Sequence, residues 1–399
     1  MRHVWFGVVL ALGLPAASFG ADWPHFLGPF SNGISPERGI NKSWRQKPPK
    51  MLWRVSLSDN GYAGPSVSGG KVFIVDHQGG NDVVRAIDMR TGRDAWRCSY
   101  PDTATANYGY ARATPTVNSG KVYTLSRLGV LNCLDAGRGK KLWSVDIVRQ
   151  FGGKRGGWDL AGSPAIDGKK LIVVPGGASA TVVALDKNTG KPIWRCAAND
   201  AAGYATPVVA TLGGKRQYVI FSATKAMGVD AGSGRVLWSI PWRTQYDANA
   251  ATPVAIGNSV FITSGYGHGG AMVDVSARGA RIRWQNRDIQ SQFSTPIVAR
   301  GRIYCTSDTG NLVCMDARTG RALWKQTGFP KGGLVGVDGT LIAVNGRNGE
   351  VAMANLGAPG YQELGRFRPL GGESWTAPIV ANGCLLLRNH QTLACFSLK

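Results

Sequence analysis

The chain has 399 residues, with 46 Lys and Arg against 24 Asp and Glu, a formal net charge of +22, 55 glycines, seven cysteines and five histidines. So much glycine argues against a mainly helical protein, since each one weakens a helix interior by about 1 kcal/mol relative to alanine. No Cys/His spacing resembles a zinc site, and neither a GxSxG nucleophile elbow nor a P-loop is present.

The first residues, MRHVWFGVVLALGLPAASFGA, combine a basic start, an apolar run from Val4 to Leu14 and a small-residue exit at Ser18 and Gly20. This pattern predicts a cleavable signal peptide over residues 1–20 and a periplasmic or secreted protein. The apolar run is short for a membrane span, which needs about 20 residues. No cysteine lies near the cleavage point to carry a lipid. Residues 21–50 read as an irregular segment, and the sequence leaves open whether they plug a channel.

From residue 51 onward a motif returns about every 40 to 50 residues, the period of a propeller or solenoid. It is an aspartate, a Gly-containing turn and a tryptophan. AIDMRTGRDAW ends at Trp96, CLDAGRGKKLW at Trp143, ALDKNTGKPIW at Trp194, GVDAGSGRVLW at Trp238 and CMDARTGRALW at Trp324. A degenerate copy, MVDVSARGARIRW, ends at Trp284. Between the tryptophans a small residue and a proline open a β-rich run, at Pro65, Pro115, Pro164, Pro207, Pro253, Pro296 and Pro378. The stretch from Gly332 fits the same place without its proline, which makes eight units.

Each unit holds four short β runs, A to D, joined by turns whose glycines supply positive φ. Strand A follows the proline and strand D carries the tryptophan. Trp53 has no strands A to C before it, and the terminal TLACFSLK reads as a strand C with nothing after it. Residues 51–57 are therefore expected to complete the last blade, which removes an open edge. The predicted fold is all-β: an eight-bladed β-propeller of four-stranded antiparallel blades over residues 51–399. Trp53, Trp96, Trp143, Trp194, Trp238, Trp284 and Trp324 are expected to wedge between blades, each burying about 150–250 Å². Their indole N–H groups are expected to reach a neighbouring backbone carbonyl.

The charge is concentrated in the turns. Arg90, Arg93, Arg138, Lys140, Lys191, Arg235 and Arg321 lie in C–D turns, and Lys71, Lys121, Lys169, Lys170, Lys215 and Arg216 in A–B turns. Both sets emerge on one side of a propeller, so that side is predicted to be cationic. It is either a solvated rim or a dock for an anionic membrane surface or envelope polymer, including an anionic polysaccharide. Nucleic acid is not an expected partner of an exported chain without a nucleic-acid-binding motif, and the chain is expected to be a monomer. Among the cysteines, Cys133, Cys314 and Cys395 fall where other units carry Ala86 and Ala184, which points to small buried packing. Cys305 with Cys314, and Cys384 with Cys395, flank hairpins and leave two disulfides open.

Three residues before the proline an aromatic recurs: Tyr62, Tyr204, Phe293 and Trp375, with Arg112, Ala161 and Ala250 in the same place elsewhere. Tyr108, Tyr110, Trp158, Asp159, Asn249 and Glu373 lie nearby in sequence. These residues either form an aromatic collar at the channel mouth that binds a protein or an unfolded polypeptide, or pack between blades below the mouth. No catalytic constellation stands out. Asp159 and Glu373 form an acid pair only if the fold joins them.

The A-x-D-x-x-T-G-x-x-x-W unit resembles the tryptophan-docking repeat of the pyrroloquinoline quinone (PQQ) type eight-bladed propellers, over roughly residues 51–399. That family holds quinoprotein dehydrogenases, which use PQQ with calcium, and non-catalytic relatives such as the outer-membrane assembly factor BamB. The stretch DWPHFLGPFSNGISPE, from Asp22 to Glu37, is similar to the mature start of the latter. The chain has no adjacent cysteines of the dehydrogenase kind and no lipid-bearing cysteine of the BamB kind. The resemblance implies an exported, non-enzymatic binding scaffold without a cofactor. The alternative it implies is a PQQ-dependent oxidoreductase in which Arg112, Asn249, Asp159 and Glu373 hold the quinone carboxylates and a cation.

Overall fold

The computed structural model describes residues 20–105 and 107–399, so all but the last position of the expected signal peptide lies outside the described residues. Eight sheets of four antiparallel strands follow one another along the chain. Blades 1 to 7 span 66–101, 116–146, 165–196, 208–241, 254–286, 297–327 and 334–367. Blade 8 takes three strands from 379–397 and its outer strand from β2 (Lys50–Ser56), which pairs antiparallel with the last strand, Thr392–Ser397. Successive inner strands touch from blade 1 round to blade 8, and blade 8 reaches blade 1 through Trp53 to Met89 O and Arg388 to Ala63 O. The expected ring and its closure by residues near 51–57 are both present. The one helix among the described residues is a five-residue turn at Ile147–Phe151.

The outer strand of every blade carries a β-bulge just before the tryptophan position. A bulge re-aims the next side chain, and here it turns the indole onto the neighbouring blade. Trp53 Nε1 donates to Met89 O (2.8 Å), Trp96 to Ala136 O (3.1 Å), Trp143 to Lys187 O (3.2 Å), Trp194 to Ala231 O (3.3 Å) and Trp284 to Ala317 O (3.2 Å). Each acceptor follows the motif aspartate of the next blade. The motif glycine of that blade lies flat on the indole. A Cβ added to Gly139 would sit 2.5 Å from Trp96 Cε3, and one on Gly92 or Gly234 would meet Trp53 or Trp194 as closely.

Two tryptophans depart from the expected carbonyl bond, both where the next blade's motif is degenerate. Trp238 donates to Gln217 Oε1 of its own blade at 2.6 Å, and Trp324 Nε1 has no partner among the described residues. Blade 7 lacks the tryptophan itself, with Gly365 in its place opposite Met353. Trp44 fills that gap from the N-terminal segment. It is 1% exposed, bonds Asn41 O at 3.0 Å and meets Phe367 edge-on at 5.3 Å.

The rest of that segment enters the channel. Asp22 accepts from the A–B turn of blade 1 at Ser68 Oγ and Gly69 N. Trp23 then exchanges two backbone bonds with Val67, and Pro24 O accepts from Val117 N. The chain turns and descends as β1 (Ile34–Ser35), parallel to the inner strand of blade 7. It leaves where Gly39 N and Lys42 meet Asp338. Residues 22–36 thus form a plug entered from the A–B turn side.

All seven cysteines are free. Cys314 lies opposite Tyr304 and Cys305 opposite Val313, so the two point to opposite faces. Cys395 lies opposite Leu386 and Cys384 opposite Ser397, a diagonal offset. Neither open disulfide forms. Cys133, Cys314 and Cys395 each face their sheet's tryptophan as the small residue under an indole.

Two substitutions test this packing. Gly139 and Gly120 share φ near +72°, but only Gly139 faces an indole. Gly139→Ala should lower the melting temperature clearly more than Gly120→Ala, which adds only left-handed strain of about 1–2 kcal/mol. Trp44→Ala should cost about 3–5 kcal/mol in denaturant unfolding, the range for emptying a buried aromatic site.

Candidate binding cup at the channel mouth

Counting back from each proline leads to one place. The residues three before it, Tyr62, Arg112, Ala161, Tyr204, Ala250, Phe293 and Trp375, all line a single cup of about 380 Å³. Lys331 holds the corresponding place in blade 7, where no proline marks it. Every blade therefore contributes one residue at the same offset. The residues just before the proline line the cup below them and tie blades together. Thr114 N donates to Ser163 Oγ, Ser163 N to Thr206 Oγ1, Thr206 N to Thr252 Oγ1 and Thr252 N to Thr295 Oγ1, at 2.9 to 3.2 Å. This belt fixes the height of the collar from blade 2 to blade 6.

The aromatic rings form two arcs. In one, Trp375 stacks on Tyr62 at 5.2 Å and 14° and meets Phe293 at 4.9 Å, with Lys331 Nζ 5.5 Å over its ring. In the other, Trp158 meets Tyr108, Tyr204 and Tyr246, and Tyr246 meets Tyr266 at 5.0 Å. Trp158 and Tyr246 thus occupy the side where blades 3 and 5 offer only Ala161 and Ala250. The floor is Trp23, Phe26, Leu27 and Gly33 of the plug, so the cup is blind.

Arg112 organises the second arc. Its guanidinium donates to the carbonyls of Trp158, Asn107 and Tyr108. It has no carboxylate partner among the described residues. Removal from water, and then the charge of Arg127, hold it down to about 10. Tyr62 donates to Glu373 Oε1 at 2.9 Å, and His390 Nε2 lies 2.8 Å from the same oxygen. Burial, reinforced by Glu373, keeps Tyr62 well above the usual phenol range.

Nine of the thirteen candidates named from the sequence thus share the cup: Tyr62, Tyr108, Arg112, Trp158, Ala161, Tyr204, Ala250, Phe293 and Trp375. Tyr110 is not among them. It stacks on His77 at 3.8 Å and lines a neighbouring depression. Lys331, Tyr266, Gln292 and the plug residues were not expected. The count from the missing proline of blade 7 was the available signal for Lys331.

The profile of the family described as outer membrane protein assembly factor BamB matches residues 43–107 and 80–326. The chain belongs to that family. BamB of Yersinia pestis is 24% identical over 296 residues, covering 70% of this chain and 72% of that protein. The crystal structure of BamB from Moraxella catarrhalis aligns with a TM-score of 0.65 at 18% identity, covering 88% of this chain and 99% of that one. Quinohemoprotein alcohol dehydrogenase from Comamonas testosteroni aligns with 0.68 at 14% identity, covering 94% and 80%. At such identities the two solved structures share the fold.

Within this BamB-family propeller, the four residues nominated for a quinone do not assemble. Asn249 is fully buried, its Nδ2 within 2.9–3.1 Å of the carbonyls of Ser222, Ala223 and Trp242, and its Oδ1 accepts from Ser264 Oγ. Asp159 is held by Arg127 at 2.7 Å and Arg155 at 2.5 Å. Glu373 is engaged with Tyr62 and His390. The fold does not join Asp159 and Glu373 as an acid pair but places them in two separate networks. Among the described residues no group of three or more His, Cys, Asp or Glu side chains is placed to share a metal ion. The donor set does not fit a quinone-calcium site.

Behind Tyr110 lies a buried acid pair. Asp82 and Asp102 are each 2% exposed, and each leaves Oδ2 without a partner. Burial, then the charge of Asp102, push Asp82 up to about 7. Unfolded, it titrates near 3.9. The folded state therefore holds the proton more tightly, and stability should fall as pH rises from about 4 to about 7. Asp82→Asn should raise the melting temperature at pH 8 and leave it nearly unchanged at pH 4.

Proposed function

We propose that this protein is an exported, non-enzymatic scaffold of the cell envelope that holds a segment of a polypeptide in its aromatic cup. The observation that carries this reading is the convergence of one residue from every blade on a blind cup. Four of those eight are aromatic, and Arg112 and Lys331 are the cations among them. Aromatic faces bind side chains and peptide planes at low entropic cost, because each ring has only two torsions to fix. Arg112 and Tyr62 are already bonded to the scaffold, which suits a rigid receptor, while Gln292 Oε1 and Ser294 Oγ of the lining have no partner among the described residues. The relatives named BamB are described as outer membrane assembly factors, which supports an envelope location and a protein partner.

The test is capture of a fluorescent, unfolded, aromatic-rich polypeptide by the full chain. Trp158→Ala with Trp375→Ala removes one ring from each arc. Binding should weaken by about tenfold or more, as for the loss of interface hot spots, with melting unchanged. Equal capture by the variant would remove the cup from the function. Adding PQQ and calcium is the contrasting measurement. A stoichiometric absorbance change with dye-linked alcohol oxidation would replace this reading with an oxidoreductase.

A further inference from the structure

The inner strand of each blade turns one backbone N–H and C=O toward the axis, two residues after the landmark proline. In blade 1 this is Val67, which exchanges bonds of 2.9 and 2.7 Å with Trp23. In blade 2 Val117 N donates to Pro24 O, and in blade 7 Gly336 N donates to Gly33 O. The equivalent residues of blades 3 to 6 are Ile166, Val209, Ala255 and Val298. They sit at the non-hydrogen-bonded positions of their hairpins, and among the described residues no backbone group pairs with their axial edge. They are half-exposed or exposed, whereas Val67, Val117 and Gly336 are buried. The plug therefore fills the channel on one side and leaves a crescent of open strand edges on the other.

The foot of that crescent is cationic. The A–B turns of blades 3, 4 and 6 bring Lys169, Lys170, Lys215, Arg216, Arg300 and Arg302, while blade 5 turns through uncharged Gly257 and Asn258. Two carboxylates lie among them: Asp167 is already held by Arg216 at 2.5 Å and by Tyr218 at 2.8 Å, and Asp230, which lines the same depression, accepts from Ser233. The other five cations have no carboxylate within ion-pair distance among the described residues; Lys170 and Arg302 donate to carbonyls of the next blade, at Ala231 and at Gly357 and Ala358, which leaves Lys169, Lys215 and Arg300.

We propose that this crescent takes up an extended acidic polypeptide segment, added as a strand to an open inner edge, with its carboxylates on the basic turns. Unpaired strand edges template such pairing. The chain's own segment 22–35 shows that these edges accept an extended strand in both senses, antiparallel at Trp23 and parallel at β1. The charge of the turns selects the partner. This surface is separate from the cup and does not rest on it.

The experiment uses the full chain and a short fluorescent peptide alternating Glu with Val. Three companions are the same peptide N-methylated at alternate amides, a Lys-for-Glu version, and vesicles rich in phosphatidylglycerol. The acidic peptide should bind with an affinity that falls steeply with salt. N-methylation should weaken it by about tenfold or more, because it removes main-chain donors. Lys169→Glu with Lys215→Glu, both exposed turn positions, should weaken it similarly with melting unchanged. The cup variant Trp158→Ala/Trp375→Ala should bind it as the parent does. An N-methylated peptide that binds as well as the parent overturns strand addition. Equal binding of the Lys peptide overturns the charge selection. Vesicle binding with no peptide binding assigns the cationic turns to lipid instead, and loss of peptide binding in the cup variant would place the peptide in the cup.

Discussion

Each indole of the outer strands must lie flat against something that has no side chain, and must give its N–H to a carbonyl at a fixed height. That requirement makes each blade legible to the next. The motif glycine provides the flat surface, the residue after the motif aspartate provides the acceptor, and the aspartate shapes the turn that presents both. Asp88 accepts from Thr91 Oγ1 and from the backbone of Thr91 and Arg90, and those bonds hold its carboxyl below the usual range. The residue after it then bonds the A–B turn of its own blade, as Met89 N does to Gly70 O. One motif therefore fixes both turns on the basic side and the seam to the neighbour. Where the motif decays the seam changes hands: Trp238 turns to Gln217, and blade 7 borrows Trp44.

This regularity is what places the cup. Seams that repeat at one angle bring the residue three before each proline to one radius and one height. The hydroxyl belt from Thr114 to Thr295 then holds neighbouring strands in step at that height. The polar residues nominated for chemistry are consumed in this work. Asn249 ties three carbonyls together, Asp159 neutralises Arg127 and Arg155, and Glu373 orients Tyr62. What remains facing the cavity is mainly aromatic surface, two cations and the unpartnered oxygens of Gln292 and Ser294. Bonded in this way, Asn249, Asp159 and Glu373 rigidify the site.

The sequence showed most of this because the repeat is a physical requirement written at constant spacing. An indole, a glycine and an aspartate at fixed intervals allow one kind of seam, so blade number, strand order and the closure by β2 followed from counting. The collar followed for the same reason. The failures lie where the repeat gives no register. Residues 21–50 have no periodicity, so neither the plug nor the role of Trp44 was visible. Asn249 sits near the collar in sequence but points into the seam, and strand proximity alone cannot tell those two directions apart. The cysteine pairs failed on register: a separation that permits opposed positions does not choose between adjacent pleats, and one residue of slip puts Cys305 and Cys314 on opposite faces.

The two sides of the disc are built from different parts of the same unit, and that difference gives the ring a direction. Turns tolerate charge because their side chains stay in water, so the A–B and C–D turns gather lysine and arginine without cost to the core. Segments leading into the prolines face the axis, where a solvated charge would crowd its seven symmetry partners, so aromatics and alanines collect there. Of the cations that do reach the mouth, Arg112 is bound to carbonyls and Lys331 lies over an indole. The plug enters from the charged side and stops below the collar, with its aromatic residues as the floor. The plug floors the cup, so the aromatic mouth and the cationic turns lie on opposite sides of it. The two faces of the ring therefore offer different surfaces: aromatic rings at the collar and cationic side chains at the turns.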